Sequence, residues 1–186
     1  MSDKTVIAVT LLSIAFLQSC GRGAGDPPAS AAPTSDAAIE KIAVIEIPNA
    51  RTPAEGLLTG GQPTREQIVE AARAGYGTIV NLRTDAEEGF EWEGDLVEEL
   101  GMRYVQIPVA GTAGLTRENV ELLTAALEAG GGPVMIHCAS GNRVGAMMAL
   151  KAAWVDDATP DEAIEIGRDF GMTRSEPAVR EILADD

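Results

Sequence analysis

The run Pro133-Val134-Met135-Ile136-His137 is apolar at consecutive positions. Neighbouring side chains on a strand point to opposite faces, so such a run is stable only where both faces of its sheet are covered. A stretch of small residues follows, and then residues 144–155 (VGAMMALKAAWV), apolar nearly all round with Lys151 as the lone charge. That is the pattern of a helix packed on most sides, with Met147 and Met148 as core. A doubly buried strand running into a buried helix demands further strands and helices around it.

The rest of the chain supplies them. Residues 42–47 (IAVIEI) read as a short β-rich run, and residues 57–61 (LLTGG) as a second extended piece closing on two glycines. Thr64 and Gln67 form a capping-box pattern for a helix over residues 65–74, with Gly75 placed to end it. GTIVNL, to Leu82, reads as a strand. Trp92, Leu96 and Leu100 then recur at helical spacing up to Gly101. RYVQIP reads as another strand, and Thr116 as the cap of a helix whose face carries Val120, Leu123 and Leu127, stopped by three glycines. Thr159-Pro160 opens one more helix, and residues 176–183 form a last one. Alternation with short links predicts right-handed βαβ crossovers: an α/β domain with a central, mainly parallel sheet of about 4–5 strands flanked by helices. In such sheets ligands bind at the carboxyl ends of the strands.

Charge and composition exclude several functions. With 14 Lys+Arg against 29 Asp+Glu, the net charge of −15 argues against a nucleic-acid groove, and 4% aromatic residues leave little for base stacking. Two cysteines and one histidine build neither a disulfide framework nor a structural zinc cluster, so no metal and no cofactor is expected.

Before the domain, residues 6–17 (VIAVTLLSIAFL) follow Lys4 and match a signal-peptide core, too short to span a bilayer. Leu17-Gln18-Ser19-Cys20 resembles a bacterial lipobox, which implies cleavage after residues 1–19 and a diacylglycerol on Cys20. An ordinary secretory signal is the alternative, and it also exports the protein. Residues 20–39, rich in Gly, Ala, Pro and Ser, read as the lipidated cysteine and a flexible tether to a domain over residues 40–186. The expectation is a monomeric lipoprotein on the periplasmic or cell-surface side, anchored to the membrane by lipid, with no nucleic-acid partner.

Chemistry concentrates at the carboxyl end of the doubly buried strand, where the chain reads His137-Cys138-Ala139-Ser140-Gly141-Asn142-Arg143. Small residues between a strand and a helix let backbone N–H groups converge on an anion, with the helix dipole adding to them. An ionised thiol is favoured in such surroundings, and a thiolate is a nucleophile. Arg143 offers two parallel donors to phosphate oxygens. A lone cysteine ending an apolar strand is otherwise a small buried hydrophobe. The flanking glycine and arginine, the following helix and the sheet's carboxyl edge favour chemistry. His137 must point to the opposite face from Cys138, which suits it to holding the loop backbone from beneath.

His-Cys, a small loop and Arg resemble the cysteine-dependent tyrosine and dual-specificity phosphatases. Gly60-Gly61-Gln62-Pro63, Ile79-Val80-Asn81-Leu82-Arg83 and Tyr104-Val105-Gln106-Ile107-Pro108-Val109 extend the likeness to the beta-lactamase-hydrolase-like branch of that superfamily, over about residues 57–155. The resemblance implies a dual-specificity-phosphatase-like fold. It also implies attack by Cys138 on phosphorus, a cradle from the amides of Ala139, Ser140, Gly141, Asn142 and Arg143, and release of phosphate by water without metal. The substrate would be a phosphorylated protein or a small phosphate ester.

Three features depart from the family. The loop has four residues between Cys138 and Arg143 rather than five, Val144 replaces the usual Ser or Thr, and residues 110–114 (AGTAG) carry no carboxylate to serve as general acid. Asp85 is the leading replacement, with Glu87 and Glu88 next. Arg83 would either touch the anion or pair with those carboxylates. The short loop is also similar to that of rhodanese-like sulfurtransferases, which carry sulfur as a persulfide. A non-catalytic oxyanion-binding lipoprotein is the third reading.

Overall fold

The computed structural model describes residues 45–185. The predicted signal, Cys20, the tether and residues 40–44 lie outside them. Five strands and six helices follow in the order β1 (Arg51–Ala54), β2 (Leu57–Gly60), α1 (Arg65–Arg73), β3 (Thr78–Asn81), α2 (Glu93–Glu99), β4 (Arg103–Gln106), α3 (Arg117–Glu128), β5 (Val134–His137), α4 (Asn142–Trp154), α5 (Pro160–Asp169) and α6 (Glu176–Ala184). The sheet runs β1-β2-β5-β3-β4, with β1 antiparallel to β2 and every other pair parallel.

β5 lies in the middle, and all four of its residues are buried. Alternation then divides its side chains between two layers. Val134, Ile136 and Cys138 face a core shared with Val80, Leu123 and the apolar residues of α4. Met135 faces a second core with Leu58, Ile68, Ile79 and Val97 under α1 and α2. The near-continuous burial of α4 from Val144 to Leu150 is what its unbroken apolar pattern requires. Gly145 makes its close approach possible, because a Cβ there would stand 2.1 Å from the Met172 backbone nitrogen.

The capping predictions hold in detail. Thr64 and Gln67 close a reciprocal capping box on α1, Thr116 accepts from Asn119 N–H at α3, and Thr159 and Glu162 make a second box at α5. Two expectations change. Within residues 42–47, the described Ile45 and Ile47 are buried but lie in irregular backbone, and the edge strand is β1 instead. The turn at residues 48–49, where Asn49 adopts φ 56°, breaks the β run, while Pro53 is tolerated because β1 is an edge. On α2 the fully buried line is Glu93 and Val97, with Trp92, Leu96 and Leu100 half-buried beside it. The inward face is rotated by one residue, and it carries a glutamate.

Candidate active site

Parallel register brings Gly60, His137 and Asn81 level at the carboxyl edge of the sheet. The loop from Cys138 to Arg143 springs from that edge and is tied down on both sides. Cys138 N–H donates to the Gly60 carbonyl at 3.3 Å, and Gln62 N–H donates to the Ala139 carbonyl at 3.5 Å. Asn49 Nδ2 donates to the Ser140 carbonyl at 3.1 Å. Gly60 and Gly61 are required here, since a Cβ on either would press within 2.8 or 3.2 Å of the Pro48 carbonyl oxygen. On the far side, Asn142 Oδ1 accepts from Thr173 N–H, Thr173 Oγ1 and Ser175 N–H at 2.9–3.1 Å.

With its carbonyls engaged outward, the loop turns inward at Gly141, whose φ of 87° is open to glycine at little cost. Its N–H donates to Cys138 Sγ at 3.1 Å. Gly141 is also the N-cap of α4 and brings no side-chain cap, so the first-turn N–H groups of that helix are left open to an outside acceptor. Cys138 is buried, 1% exposed.

Arg143 is held by three elements at once. Its Nη1 donates to the carbonyls of Leu82 at 3.3 Å and Val109 at 3.0 Å, just beyond β3 and β4. Its Nη1 and Nη2 also form a two-pronged pair with Glu87, at 2.6 and 2.7 Å. The Cys138 side chain is a further hydrogen-bond partner of the Arg143 guanidinium. Hydrogen bonds from Arg143 hold the Glu87 carboxyl at about 2, against the opposing effect of partial burial and with help from Thr84 N–H and Arg83. Glu87 in turn raises the Arg143 pKa further, and the Cys138 side chain adds to the effect.

A polar chain runs from this pair under the loop. Arg83 donates from Nε to Glu87 at 3.2 Å and from Nη1 to Gln62 Oε1 at 2.9 Å. Gln62 Nε2 donates to Glu93 at 2.7 Å, and the other Glu93 oxygen lies 2.5 Å from His137 Nε2. Glu93 and His137 are both fully buried. His137 therefore braces α2 against β5, opposite Cys138 as alternation requires, and it makes no bond to the loop backbone, contrary to expectation. Its Nδ1 has no partner among the described residues. Asn81 shapes the neighbouring turn, accepting from Arg83 N–H at 2.8 Å and donating to the Tyr104 hydroxyl at 3.0 Å. Burial pushes the Tyr104 pKa up to about 12.

The structure thus brings Cys138, Gly141, Arg143 and Glu87 together. Asp85 stands on the exposed part of the same loop and accepts from Gln106 Nε2 at 2.8 Å. Residues 110–114 form a tight turn, closed by Gly114 N–H on the Ala110 carbonyl and steadied by Asn119. Of the two roles open to Arg83, the geometry shows the pairing with a carboxylate. Glu93 belongs to none of the sequence motifs, and Gln62 enters only as part of Gly60-Gly61-Gln62-Pro63. The available signal was a glutamate four residues before Val97 on an inward helical face.

Residues 49–155 match the family model described as beta-lactamase hydrolase-like protein, phosphatase-like domain. The beta-lactamase hydrolase-like protein of Xylella fastidiosa (strain Temecula1) is 32% identical over 122 residues, 63% of this chain and 28% of that protein. The chain therefore spans little more than a quarter of the length of such curated relatives. A Shewanella putrefaciens CN-32 protein, named as a candidate phosphatase of known structure, shares 26% identity over 75% of this chain and 88% of its own, at a TM-score of 0.59. The fold is also that of the core catalytic domain of the S. cerevisiae PP-IP phosphatase SIW14 (18% identity, 77% and 90% coverage, TM-score 0.56).

Proposed function

The chain belongs to the phosphatase-like domain family of the beta-lactamase hydrolase-like proteins, and from that footing we propose that it hydrolyses a phosphate monoester through a phosphocysteine on Cys138. The observation that carries this reading is the convergence of Gly141 N–H and the Arg143 guanidinium on the Cys138 sulfur. A phosphate over the thiolate would receive the amides of residues 139–143 and the Arg143 guanidinium. Sulfur attacks phosphorus, and the ester oxygen leaves with the bonding pair and takes a proton. Water then breaks the S–P bond, releasing phosphate and restoring the thiolate. The charge that develops on the equatorial oxygens faces donors already in place.

Each departure from the wider family has a local answer. Glu87 orients Arg143 and, held ionised down to about 2, is no proton donor near neutrality. Asp85 is left as the donor to the leaving group. Val144 is buried in the core and offers no hydroxyl. The departing thiolate is stabilised by Gly141 N–H instead. The export signal and the lipid on Cys20 belong to the same proposal and place the site outside the cytoplasmic membrane.

The test uses the full chain and its Cys138→Ser variant, assayed for hydrolysis of p-nitrophenyl phosphate and for sulfur transfer from thiosulfate to cyanide. Phosphate release that disappears in the variant supports the proposal. Cyanide-dependent turnover alone would replace it with the sulfurtransferase reading. Neither activity, with a Tm raised by tungstate, would mark a non-catalytic oxyanion binder. Partition of protein purified from membranes into Triton X-114 detergent, abolished by Cys20→Ala, tests the lipid.

A further inference from the structure

A second cleft opens on the other flank of the loop, about 260 Å³ in volume and lined by Asn49, Arg51, Ser140, Gly171, Thr173 and Arg174. Its chemistry differs from that of its surroundings. Acidic residues outnumber basic ones about two to one in the whole chain, yet this cleft carries two arginines and no carboxylate. Arg51 and Arg174 are exposed and have no acidic partner among the described residues; Arg65, Arg73 and Arg103 share that trait, whereas Arg83, Arg143, Arg168 and Arg180 are paired, and only Arg51 and Arg174 meet in one cleft. Two unpaired guanidinium groups facing one small cleft repel each other unless an anion lies between them.

The fold joins the cleft to the loop. Arg51 pairs in register with Thr59, at the carboxyl end of β2, so it stands at the same end of the sheet as Cys138. Its side chain runs along Gly171, where a Cβ would meet its Nε at 3.4 Å and the Gly141 carbonyl at 3.5 Å. Asn142 holds the segment carrying Thr173 and Arg174 against the loop. Ser140 belongs to both loop and cleft. It is two residues from Cys138, a chain span of at most about 7 Å.

Resting on the phosphatase reading, we propose that this cleft binds a second anionic group of the substrate, so that the preferred substrate is a small ester carrying two phosphates within about 10 Å of each other. A small molecule fits better than an acidic phosphopeptide. The opposite flank of the site exposes Asp85, Glu88 and Glu91, which would repel an extended acidic chain.

The full chain and the Arg51→Ala/Arg174→Ala variant are compared on phenyl phosphate, hydroquinone bisphosphate and a singly phosphorylated tyrosine peptide with acidic flanks. The wild type is expected to favour the bisphosphate over phenyl phosphate tenfold or more in kcat/KM at low salt. The double variant should lose about tenfold of that ratio, while Arg73→Ala/Arg103→Ala, which removes equal charge elsewhere, should retain it. An unchanged ratio in the cleft variant, or a peptide that outperforms the bisphosphate, overturns the proposal. If no substrate is hydrolysed, the phosphatase reading fails separately. Calorimetry with inorganic phosphate then decides the cleft: two sites per chain, one of them lost in the variant, uphold it, and a single site that survives in the variant refutes it.

Discussion

Glu87→Gln isolates the charge that holds Arg143 in place. A carboxyl kept at about 2 instead of 4.5 is linked to folding free energy, at about 1.4 kcal/mol per pH decade, or about 3 kcal/mol in all. Glu87 is 27% exposed, so water screens part of that, leaving roughly 1–2 kcal/mol. The folded-state pKa is depressed, so this stability is fully present above about pH 5 and is lost as pH falls toward 2. Urea unfolding of wild type and variant should therefore differ by about 1–2 kcal/mol at pH 7, with the gap falling to less than half by about pH 3 and closing toward pH 2. Released from its clamp, Arg143 should also meet phosphate less well, and KM for p-nitrophenyl phosphate should rise. A stability gap of the same size at pH 7 and pH 3 would refute the reasoning, because it would show that the side chain acts through packing and not charge.

Two further outcomes follow from the same geometry. Gly145→Ala places a Cβ 2.1 Å from the Met172 nitrogen and 2.5 Å from the Gly167 carbonyl oxygen, both backbone. It should destabilise by about 1–3 kcal/mol and lower Tm by about 2–12 °C, and a Tm within a degree of wild type would show that α4 and α5 separate freely. Asp85→Asn should lower kcat/KM by about 100-fold or more on an alkyl phosphate and remove the limb where the rate falls with rising pH. The same limb persisting in the variant would take Asp85 out of the chemistry.

Much of the architecture was legible because it depends on local rules. The capping hydroxyls of Thr64, Thr116 and Thr159 sit next to the N–H groups they satisfy, and a strand apolar at consecutive positions has only one comfortable place in a sheet. The loop around Cys138 was legible for the same reason: cysteine, turn residues and arginine are contiguous. The edge strand was not, because Arg51–Ala54 contains a proline and pairs only where β2 leaves an edge open. Nor was the inward line of α2, because the docking of the helix buries Glu93 and Val97 in preference to the more apolar adjacent stripe of Trp92, Leu96 and Leu100.

The parallel α/β framework and the loop that joins Cys138 to Arg143 can thus be read along the chain, since both are written in residues adjacent in sequence or repeating at a fixed period. What surrounds them depends on how the elements pack. That packing chose Glu87 as the clamp on Arg143, joined His137 to Glu93 over 44 positions, and gathered Arg51 and Arg174 from 123 positions apart beside one loop. Such partners meet because separate elements converge at one edge of the sheet, and the free energy of that convergence is spread over the whole core, so no local pattern announces it.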